Sequence, residues 1–284
     1  MSIFVTGASG QLGRLVVEGL LARVSADQIT AVVRDRAKAA PLAERGVRVH
    51  VADYDVPETF AGLFGPGDRV LLVSGSELGK DRVAQHRAVI DAAAVAGVAL
   101  LAYTSAPGSL TAALADDHRA TERVVLDSGL PYTLLRNNWY HEVITGGLGP
   151  VLAHGAVVQA AGDGRTASAS RADYAAAAVA VLTGDGHQNR TYELNGDTAW
   201  SYAEYAAELS RQTGREIAYN DVTPEIYEAI LVRAGLPEPL AVVLAEVDVS
   251  VSKGELAGAG DDLSRLIGRP TTPLADAVAA ALRG

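Results

Sequence analysis

The stretch Thr6-Gly7-Ala8-Ser9-Gly10-Gln11-Leu12-Gly13 joins a short apolar run, Ile3–Thr6, to an amphipathic segment. Three glycines spaced three residues apart, between a strand and a helix, are typical of a turn that binds the diphosphate of a dinucleotide. Gly7 and Gly10 permit a tight turn, and Gly13 lets the helix pack against the sheet. The helix N terminus then faces the diphosphate. Because the spacing is GxxGxxG and not GxGxxG, an ordinary strand-to-helix turn is the alternative.

Five further apolar runs follow this turn, and helix-like segments separate them. Together with the first run they predict strands at residues 3–6, 29–33, 47–51, 69–73, 99–104 and 132–135. Ala-rich amphipathic segments predict helices at residues 11–23, 81–96 and 116–128. Alternation of strand and helix is typical of βαβ units, and runs that are apolar throughout indicate a sheet covered on both faces. The sequence therefore predicts an α/β fold with a Rossmann-type, doubly wound parallel sheet.

The alternation ends after Trp139, where the chain enters a glycine-rich segment at residues 146–150. Beyond it we predict a short strand, helices at residues 172–182, 202–213 and 224–234, and a turn-rich end around residues 267–270. We assign residues 1–145 to a dinucleotide-binding domain, with residues 166–190 packing back on it, and residues 146–165 and 191–284 to a smaller α/β C-terminal lobe. A lobe beside the carboxyl edge of such a sheet would form a cleft over a cofactor.

The composition excludes several classes of function. The 284 residues carry a formal net charge of -10 and show no basic stripe, which argues against a nucleic-acid surface. The chain has no cysteine, which excludes disulfides, thiolate metal sites and a cysteine nucleophile. Its 6 histidines lack metal-ligand spacing and no Gly-x-Ser-x-Gly motif is present, so we predict neither a metal site nor a serine hydrolase.

No segment predicts export or a membrane span. The first strand begins so close to the first residue that no room is left for a signal peptide. The most apolar stretch, residues 174–182, is far shorter than the roughly 20 residues that a spanning helix requires. We therefore expect a cytoplasmic protein. A homodimer is compatible with the sequence but is not indicated by it.

Arg34 follows the second predicted strand, where an NAD-binding protein usually has an acidic residue that binds the ribose diol. A guanidinium binds phosphate through paired hydrogen bonds and stacks on adenine, so Arg34 favours NADPH, with its 2′-phosphate, over NADH. Arg36 or Lys38 would assist. The alternative is that the charged residues around Arg34 are the solvated start of a helix.

Polar residues also follow the third and fourth predicted strands. Asp53 and Tyr54 are placed to meet the adenine, and Ser74, Gly75 and Ser76 are placed to line the ribose and the nicotinamide. Each of these residues is equally well explained as a helix cap or a turn residue.

Several motifs along the chain resemble one known family. They are TGASGQLG at 6–13, AVVRD at 31–35, VADY at 51–54, the pair Gln85 and His86, LLAYTS at 100–105 and YTLLRNNWY at 132–140. Together they resemble the NmrA-like atypical short-chain dehydrogenase/reductases, and within these the type 2 NAD(P)H:quinone oxidoreductases. The resemblance continues through residues 160–178, 192–197 and 266–274, so it covers almost the whole chain.

The resemblance implies a Rossmann domain with a small C-terminal lobe, NADPH as the cofactor, and reduction of quinones by hydride transfer. It implies cofactor contacts in the turn and after the strands, at Gly7, Ser9, Gly10, Gln11, Leu12, Gly13, Arg34, Ser74, Gly75, Ser76, Tyr103, Thr104, Ser105 and Asn137. The same motifs imply contacts with the quinone at Asn138, Trp139 and Tyr140.

Ordinary short-chain dehydrogenases use a Tyr-x-x-x-Lys pair to exchange a proton with a carbonyl oxygen, and this sequence has no such pair. Residues 132–136 have a similar spacing, but their apolar, β-branched context predicts a strand. His118 and Glu122 instead form an i,i+4 pair on one helix face. We predict that His118 delivers a proton or hydrogen-bonds the ribose. The alternative is a solvent-facing helical pair.

Loss of the Tyr-x-x-x-Lys pair does not prevent quinone reduction, because hydride addition to a quinone gives a stabilised phenolate that water can protonate. The site then has mainly to position two rings. Trp139 and Tyr140 would stack an aromatic acceptor, and Tyr140 is a second candidate catalytic residue. Packing at the lobe interface is the alternative role for both side chains.

These features predict an NADPH-dependent oxidoreductase that reduces quinones or similar small aromatic acceptors. Two alternatives stay open. NmrA-like proteins include NADP(H)-binding redox sensors that regulate partners without turnover, and the missing catalytic pair fits a sensor equally well. A reductase of another enone or carbonyl substrate would share every cofactor feature.

Overall fold

The computed structural model describes residues 1–77, 79–258 and 260–283. Contacts within the chain define two compact units. The first unit consists of Met1–Ala106, Asp117–Asn137 and Arg171–Tyr192, and the second of Pro107–Asp116, Asn138–Ser170 and Glu193–Gly284. The division into folding domains near residue 145 stays a prediction.

The described residues form strands and helices along the whole chain. The strands are β1 (Ile3–Thr6), β2 (Ile29–Val33), β3 (Arg48–Val51), β4 (Arg69–Leu72), β5 (Leu100–Ser105), β6 (Tyr132–Asn137), β7 (Ala156–Gln159), β8 (Arg165–Thr166), β9 (Arg190–Leu194), β10 (Trp200–Ser201) and β11 (Ala218–Asp221). The α-helices are α1 (Gln11–Leu21), α2 (Ala40–Glu44), α3 (Arg82–Ala96), α4 (Leu114–Asp127), α5 (His141–Thr145), α6 (Leu148–His154), α7 (Arg171–Thr183), α8 (Tyr202–Thr213), α9 (Pro224–Arg233), α10 (Glu238–Ser252), α11 (Asp262–Ile267) and α12 (Leu274–Arg283).

A seven-stranded sheet with the order β3-β2-β1-β4-β5-β6-β9 is the centre of the first unit. Strands β1 to β6 pair in parallel with their neighbours. The predicted Rossmann-type α/β class is therefore confirmed, and all six predicted strands are present. The seventh strand, β9, was not predicted.

Helices cover both faces of this sheet. On one face the side chains of Leu101 and Tyr103 lie in a cluster with Val89 of α3 and Val125 of α4. The opposite face is covered by α1 and α7, which pack against each other. A Cβ atom on Gly19 of α1 would lie 2.9 Å from Cγ2 of Val179 on α7. A glycine therefore permits the close approach of α1 and α7.

The parallel strands place their carboxyl ends along one edge of the sheet. Gly7, Arg34 and Val73 follow directly after β1, β2 and β4, and Ser105 ends β5. Because β2, β1, β4 and β5 are neighbours, the residues that follow them lie side by side. Open α/β sheets usually bind their ligands at this edge.

The second unit contains two small sheets and most of the C-terminal helices. Strands β7 and β11 pair in parallel, and β8 pairs with β10 in the antiparallel sense. The end of the chain is more helical than predicted, because α10, α11 and α12 occupy most of it. The predicted turn is confined to Gly268, whose φ of 71° ends α11, and to the residues before α12. Among the described helices, none has both the length and the apolar character needed to cross a membrane.

Candidate functional site

The glycine turn connects the carboxyl end of β1 to the N terminus of α1. Gly7 has a φ of 59°, which favours glycine, and its carbonyl accepts a hydrogen bond of 2.9 Å from the N–H of Gly10. A Cβ atom on Gly13 would lie 2.3 Å from the Gly7 oxygen. The close contact of Gly13 is therefore with the turn itself, whereas we expected it to be with the sheet.

The start of α1 has the properties of an anion site. Gly10 is its N-cap residue, and no side chain among the described residues caps it. The first turn of α1 carries no acidic residue. The N–H groups at the start of a helix have no intrahelical acceptors, so they remain available to a phosphate. The turn therefore fits the diphosphate of a dinucleotide.

Arg34 lies beyond the end of β2, and its Nη1 atom is 2.5 Å from Oε1 of Glu77 in the segment after β4. The adjacent Glu77 carboxylate raises the pKa of the Arg34 guanidinium. The neighbouring charges have other partners: the carboxylate of Asp35 accepts the N–H of Ala37, and Arg36 donates to a β3 carbonyl. Arg34 is thus the basic residue that directly follows β2 and pairs with the loop beyond β4. Its predicted contact with a 2′-phosphate stays a prediction.

Tyr54 braces the ends of two strands. Its hydroxyl lies 2.5 Å from Oγ1 of Thr6 and 2.7 Å from the carbonyl oxygen of Val73, and burial raises its pKa. Asp53 uses a carboxylate oxygen to accept the N–H of Asp55, as in a turn. Both residues have structural roles here, and their predicted contacts with adenine remain untested predictions.

Buried side chains accept hydrogen bonds from the backbone of the segment after β4. The N–H of Ser74 donates to Oγ1 of Thr104, and the N–H of Gly75 donates to Nε2 of His86 at 2.9 Å. Because Nε2 accepts, the ring proton of His86 is on Nδ1, which donates to Thr121. Burial and a neighbouring arginine lower the pKa of His86 to about 3, so the ring is neutral. Ser76 is exposed on this segment.

His118 occupies a buried position between Tyr103 and Arg82. Its Nε2 is 3.1 Å from Nη2 of Arg82, and its Nδ1 is 2.9 Å from the hydroxyl of Tyr103. Burial, followed by the charge of Arg82, lowers its pKa to about 3. Arg82 also lies 3.6 Å from the carboxylate of Asp117.

Glu122 lies one helical turn after His118 and is equally buried. Its carboxylate accepts hydrogen bonds from the hydroxyl of Ser105 at 2.7 Å and from Nε and Nη2 of Arg136 at 2.9 and 2.7 Å. His118 and Glu122 are 8% and 7% exposed, so the alternative of a solvent-facing pair is wrong. This face of α4 packs on the sheet, and its partners come from β5 and β6 and, for His118, also from Arg82 of α3.

The segment after β6 passes from the first unit into the second. Asn137 is buried. Asn138 donates through Nδ2 to Oδ1 of Asn195 at 2.8 Å and to the carbonyl of Leu256 at 3.1 Å, within the second unit. Its own Oδ1 accepts the N–H of Trp139. These contacts fix the backbone at Trp139, and the proposed quinone contacts of this segment stay predictions.

Tyr140 continues this segment as an isolated bridge. It pairs in parallel with Ala169, and the rings of both Trp139 and Tyr140 are half-buried. Over the described part of the chain, no group of three or more His, Cys, Asp or Glu side chains is arranged to hold a metal ion.

Sequence reasoning missed three residues that shape this edge of the sheet. Glu77 and Arg82 had no recognisable pattern, since an isolated charge in a loop or on a helix says nothing about its distant partner. His86 belongs to one of the family motifs, but its role as a hydrogen-bond acceptor for the N–H of Gly75 depends on how α3 packs against the sheet.

A parallel sheet with the first six strands in the order 3-2-1-4-5-6, a glycine turn that opens α1 and an arginine after β2 define a dinucleotide-binding protein of the Rossmann class. A family model described as NAD(P)H-binding matches residues 7–185, and the chain belongs to that family.

Known proteins resemble this chain over its whole length. Quinone oxidoreductase 2 of Escherichia coli (strain K12) is 47% identical over 278 residues, which is 97% of each chain. The crystal structure of an NADPH-dependent quinone oxidoreductase from Escherichia coli, complexed with NADPH, matches with a TM-score of 0.95 and 46% identity over 99% of each chain. The triphenylmethane reductase of Citrobacter sp., complexed with NADP(H), matches with a TM-score of 0.93 and 40% identity over 99% of this chain and 100% of its own. The family resemblance predicted from the sequence is confirmed.

Proposed function

We propose that this protein is an oxidoreductase that reduces quinones with NADPH by hydride transfer. The observation that carries the proposal is the similarity to quinone oxidoreductase 2 of Escherichia coli along 97% of both chains. Because the match covers 97% of both chains, it extends through both units and is not limited to a shared nucleotide-binding fold.

In this proposal the residues of the first unit bind and orient the cofactor. Gly7, Gly10 and Gly13 leave room for the diphosphate, and the N–H groups at the start of α1 donate hydrogen bonds to it. Arg34 binds the 2′-phosphate. The buried partners of Ser74 and Gly75 hold the loop after β4 in place beside the ribose and the nicotinamide.

The chemistry requires little acid or base from the protein. Bound NADPH supplies a hydride, which together with one proton converts a quinone to a hydroquinone. Because the oxygen that takes up the proton is phenolic, water is a sufficient donor. His118 has no imidazolium proton to give at neutral pH, since its pKa is lowered to about 3. We assign the positioning of the quinone to Asn138, Trp139 and Tyr140.

A second acceptor class has support from the comparisons. The matching triphenylmethane reductase has 40% identity and nearly the same backbone, so a different aromatic acceptor is compatible with this scaffold. The third candidate, a redox sensor that binds NADP(H) without turnover, is supported by the absence of a Tyr-x-x-x-Lys pair.

Stopped-flow loss of NADPH absorbance distinguishes these functions. We expect rapid oxidation of NADPH with benzoquinone, slower oxidation with a triphenylmethane dye, and none with a simple ketone. Tight NADPH binding without oxidation by either aromatic acceptor would indicate the sensor. If NADPH were oxidised faster with the dye or the ketone than with benzoquinone, that compound would represent the substrate class instead of quinones.

Location and assembly belong to the same proposal. A cytoplasmic location fits an NADPH-consuming enzyme, and a net charge of -10 is unfavourable for binding nucleic acid. Light scattering on the purified chain tests the homodimer, for which a mass twice that of the single chain is required.

A further inference from the structure

The ion pair between Arg34 and Glu77 joins two segments at the carboxyl edge of the sheet. Arg34 follows β2, and Glu77 lies in the segment after β4, so the two reach each other across the end of β1, where the glycine turn starts. The Nη1 to Oε1 distance is 2.5 Å, and the side chains are 61% and 42% exposed. Both groups are therefore within reach of a ligand in solution.

A second ion pair lies near this one. Lys80 lies 2.9 Å from one carboxylate oxygen of Asp55, whose other oxygen accepts a hydrogen bond from Gln85. Asp53 and Asp55 add smaller contributions that raise the pKa of Arg34. Glu77 is the carboxylate in direct contact with Arg34, so a phosphate that approaches this guanidinium meets the negative charge of Glu77.

A 2′-phosphate and the Glu77 carboxylate require the same guanidinium. Both are anions that accept hydrogen bonds from a guanidinium, Glu77 already occupies Nη1, and a phosphate beside Glu77 experiences repulsion from it. A 2′-hydroxyl has no charge and can instead donate a hydrogen bond to a carboxylate, as acidic residues of NAD-binding sites do. Glu77 therefore acts in opposite directions on the two cofactors.

We infer that Glu77 is a specificity-determining residue that reduces the preference for NADPH over NADH by competing with the 2′-phosphate for Arg34. The inference rests on the proposed function for the assignment of the cofactor site. Glu77 lies outside the sequence motifs of the cofactor site, and its effect is limited to the group at the 2′ position of the adenosine ribose.

The test measures dissociation constants of NADPH and NADH for the full chain by calorimetry, at low and high salt. Glu77→Gln keeps the size of the side chain and removes its charge. We expect NADPH to bind about three- to fivefold more tightly to this variant at low salt, as for other exposed charge pairs. Binding of NADH stays equal or becomes weaker, and the gain for NADPH shrinks at high salt. Glu77→Ala repeats the gain if the charge is responsible.

Glu44→Gln is the matched control, because Glu44 is exposed at the end of α2, next to the start of β3 and hence near the opposite edge of the sheet. It should leave the ratio of the two constants unchanged. Adding Glu77→Gln to Arg34→Ala should give no further gain, since the shared guanidinium is gone.

The inference would be overturned if Glu77→Gln changed the binding of NADPH and NADH equally, or if it weakened NADPH binding. Either result could occur in a protein that still oxidises NADPH with quinones, so it would leave the proposed function intact. Failure of the proposed function has a different signature, namely the expected shift of the binding ratio in Glu77→Gln without oxidation of NADPH by quinones. A chain that bound neither cofactor would contradict both.

Discussion

Arg82 donates a hydrogen bond to Nε2 of His118 over 3.1 Å, and this contact determines which ring nitrogen carries the proton. A guanidinium has no acceptor, so Nε2 must accept and the proton must be on Nδ1. Nδ1–H then donates to the hydroxyl of Tyr103. The imidazole is therefore held neutral and in one tautomer between two buried partners.

The first prediction is that His118 stays neutral throughout the pH range of activity. Burial and Arg82 lower its pKa to about 3, so imidazole nitrogen NMR shifts should report one neutral tautomer from pH 8 to about pH 5. If His118 titrated near the ordinary histidine pKa of 6.5, its buried contacts with Arg82 and Tyr103 would be disproved.

The second prediction concerns stability against pH. His86 and His118 both have a pKa of about 3 in the folded chain and ordinary values near 6.5 when unfolded. Between these values the unfolded chain binds more protons, so the free energy of unfolding should fall as the pH decreases. The loss from pH 6.5 to 5 is about 1–2 kcal/mol for each histidine. Urea unfolding measures it, and His118→Gln should show a shallower slope. Equal slopes for both proteins would remove His118 as a cause.

The third prediction concerns the ion pair of Glu122 and Arg136. Glu122→Gln leaves Arg136 without its bidentate acceptor in a largely buried site, and should lower the free energy of unfolding by about 2–3 kcal/mol. Glu18→Gln is the control, because Glu18 and Arg14 form an exposed i,i+4 pair worth less than about 0.5 kcal/mol. A loss as small as that of the control would show that Ser105 and water replace the pair.

The fourth prediction concerns Gly13. A methyl group there meets the Gly7 oxygen at 2.3 Å, so Gly13→Ala must displace the turn and should weaken NADPH binding by at least about tenfold. Gly149→Ala is the control, since a Cβ on that glycine has no described atom within 4 Å. Dissociation constants from fluorescence titration check both variants, and unchanged binding in Gly13→Ala would exclude the turn from the site.

The fifth prediction concerns the acceptor. Trp139→Ala should raise the KM for benzoquinone about tenfold and leave the NADPH dissociation constant unchanged, because stacking area is lost only on the acceptor side. Val143→Ala, an exposed position on α5, serves as the control. Unchanged quinone kinetics in Trp139→Ala would limit Trp139 to packing.

The sequence pattern predicted those strands and turns that form because of the properties of their own residues. The first six strands are rich in apolar and β-branched residues, although β3 also contains Arg48 and His50, and the turn 6–13 lies where its glycines predicted. Strand β9 escaped detection because Arg190–Leu194 contains few apolar residues and joins the sheet only through pairing with β6. Helix α10 is apolar around its circumference and rich in valine, so its periodicity favours no structure.

The same limit applies to the site. The position of Arg34 after β2 followed from strand order, whereas its partner Glu77 is 43 residues away and has no local signal. The burial of His118 and Glu122 depends on how α4 rests on β5 and β6. A helical i,i+4 spacing predicts that two residues share a face but does not predict which face meets the sheet.

The packing of α7 on α1 also has a consequence for how the chain folds during synthesis. Val16, Val17 and Leu20 of α1 are fully buried, and the helix that packs against α1 begins only at Arg171. A chain that has been synthesised only as far as residue 137 contains the six parallel strands and the glycine turn but lacks α7, so the face of α1 that packs on α7 has no partner. Complete burial of α1 therefore requires some fifty residues beyond β6, so we expect the nucleotide-binding sheet to reach its final stability only late in synthesis.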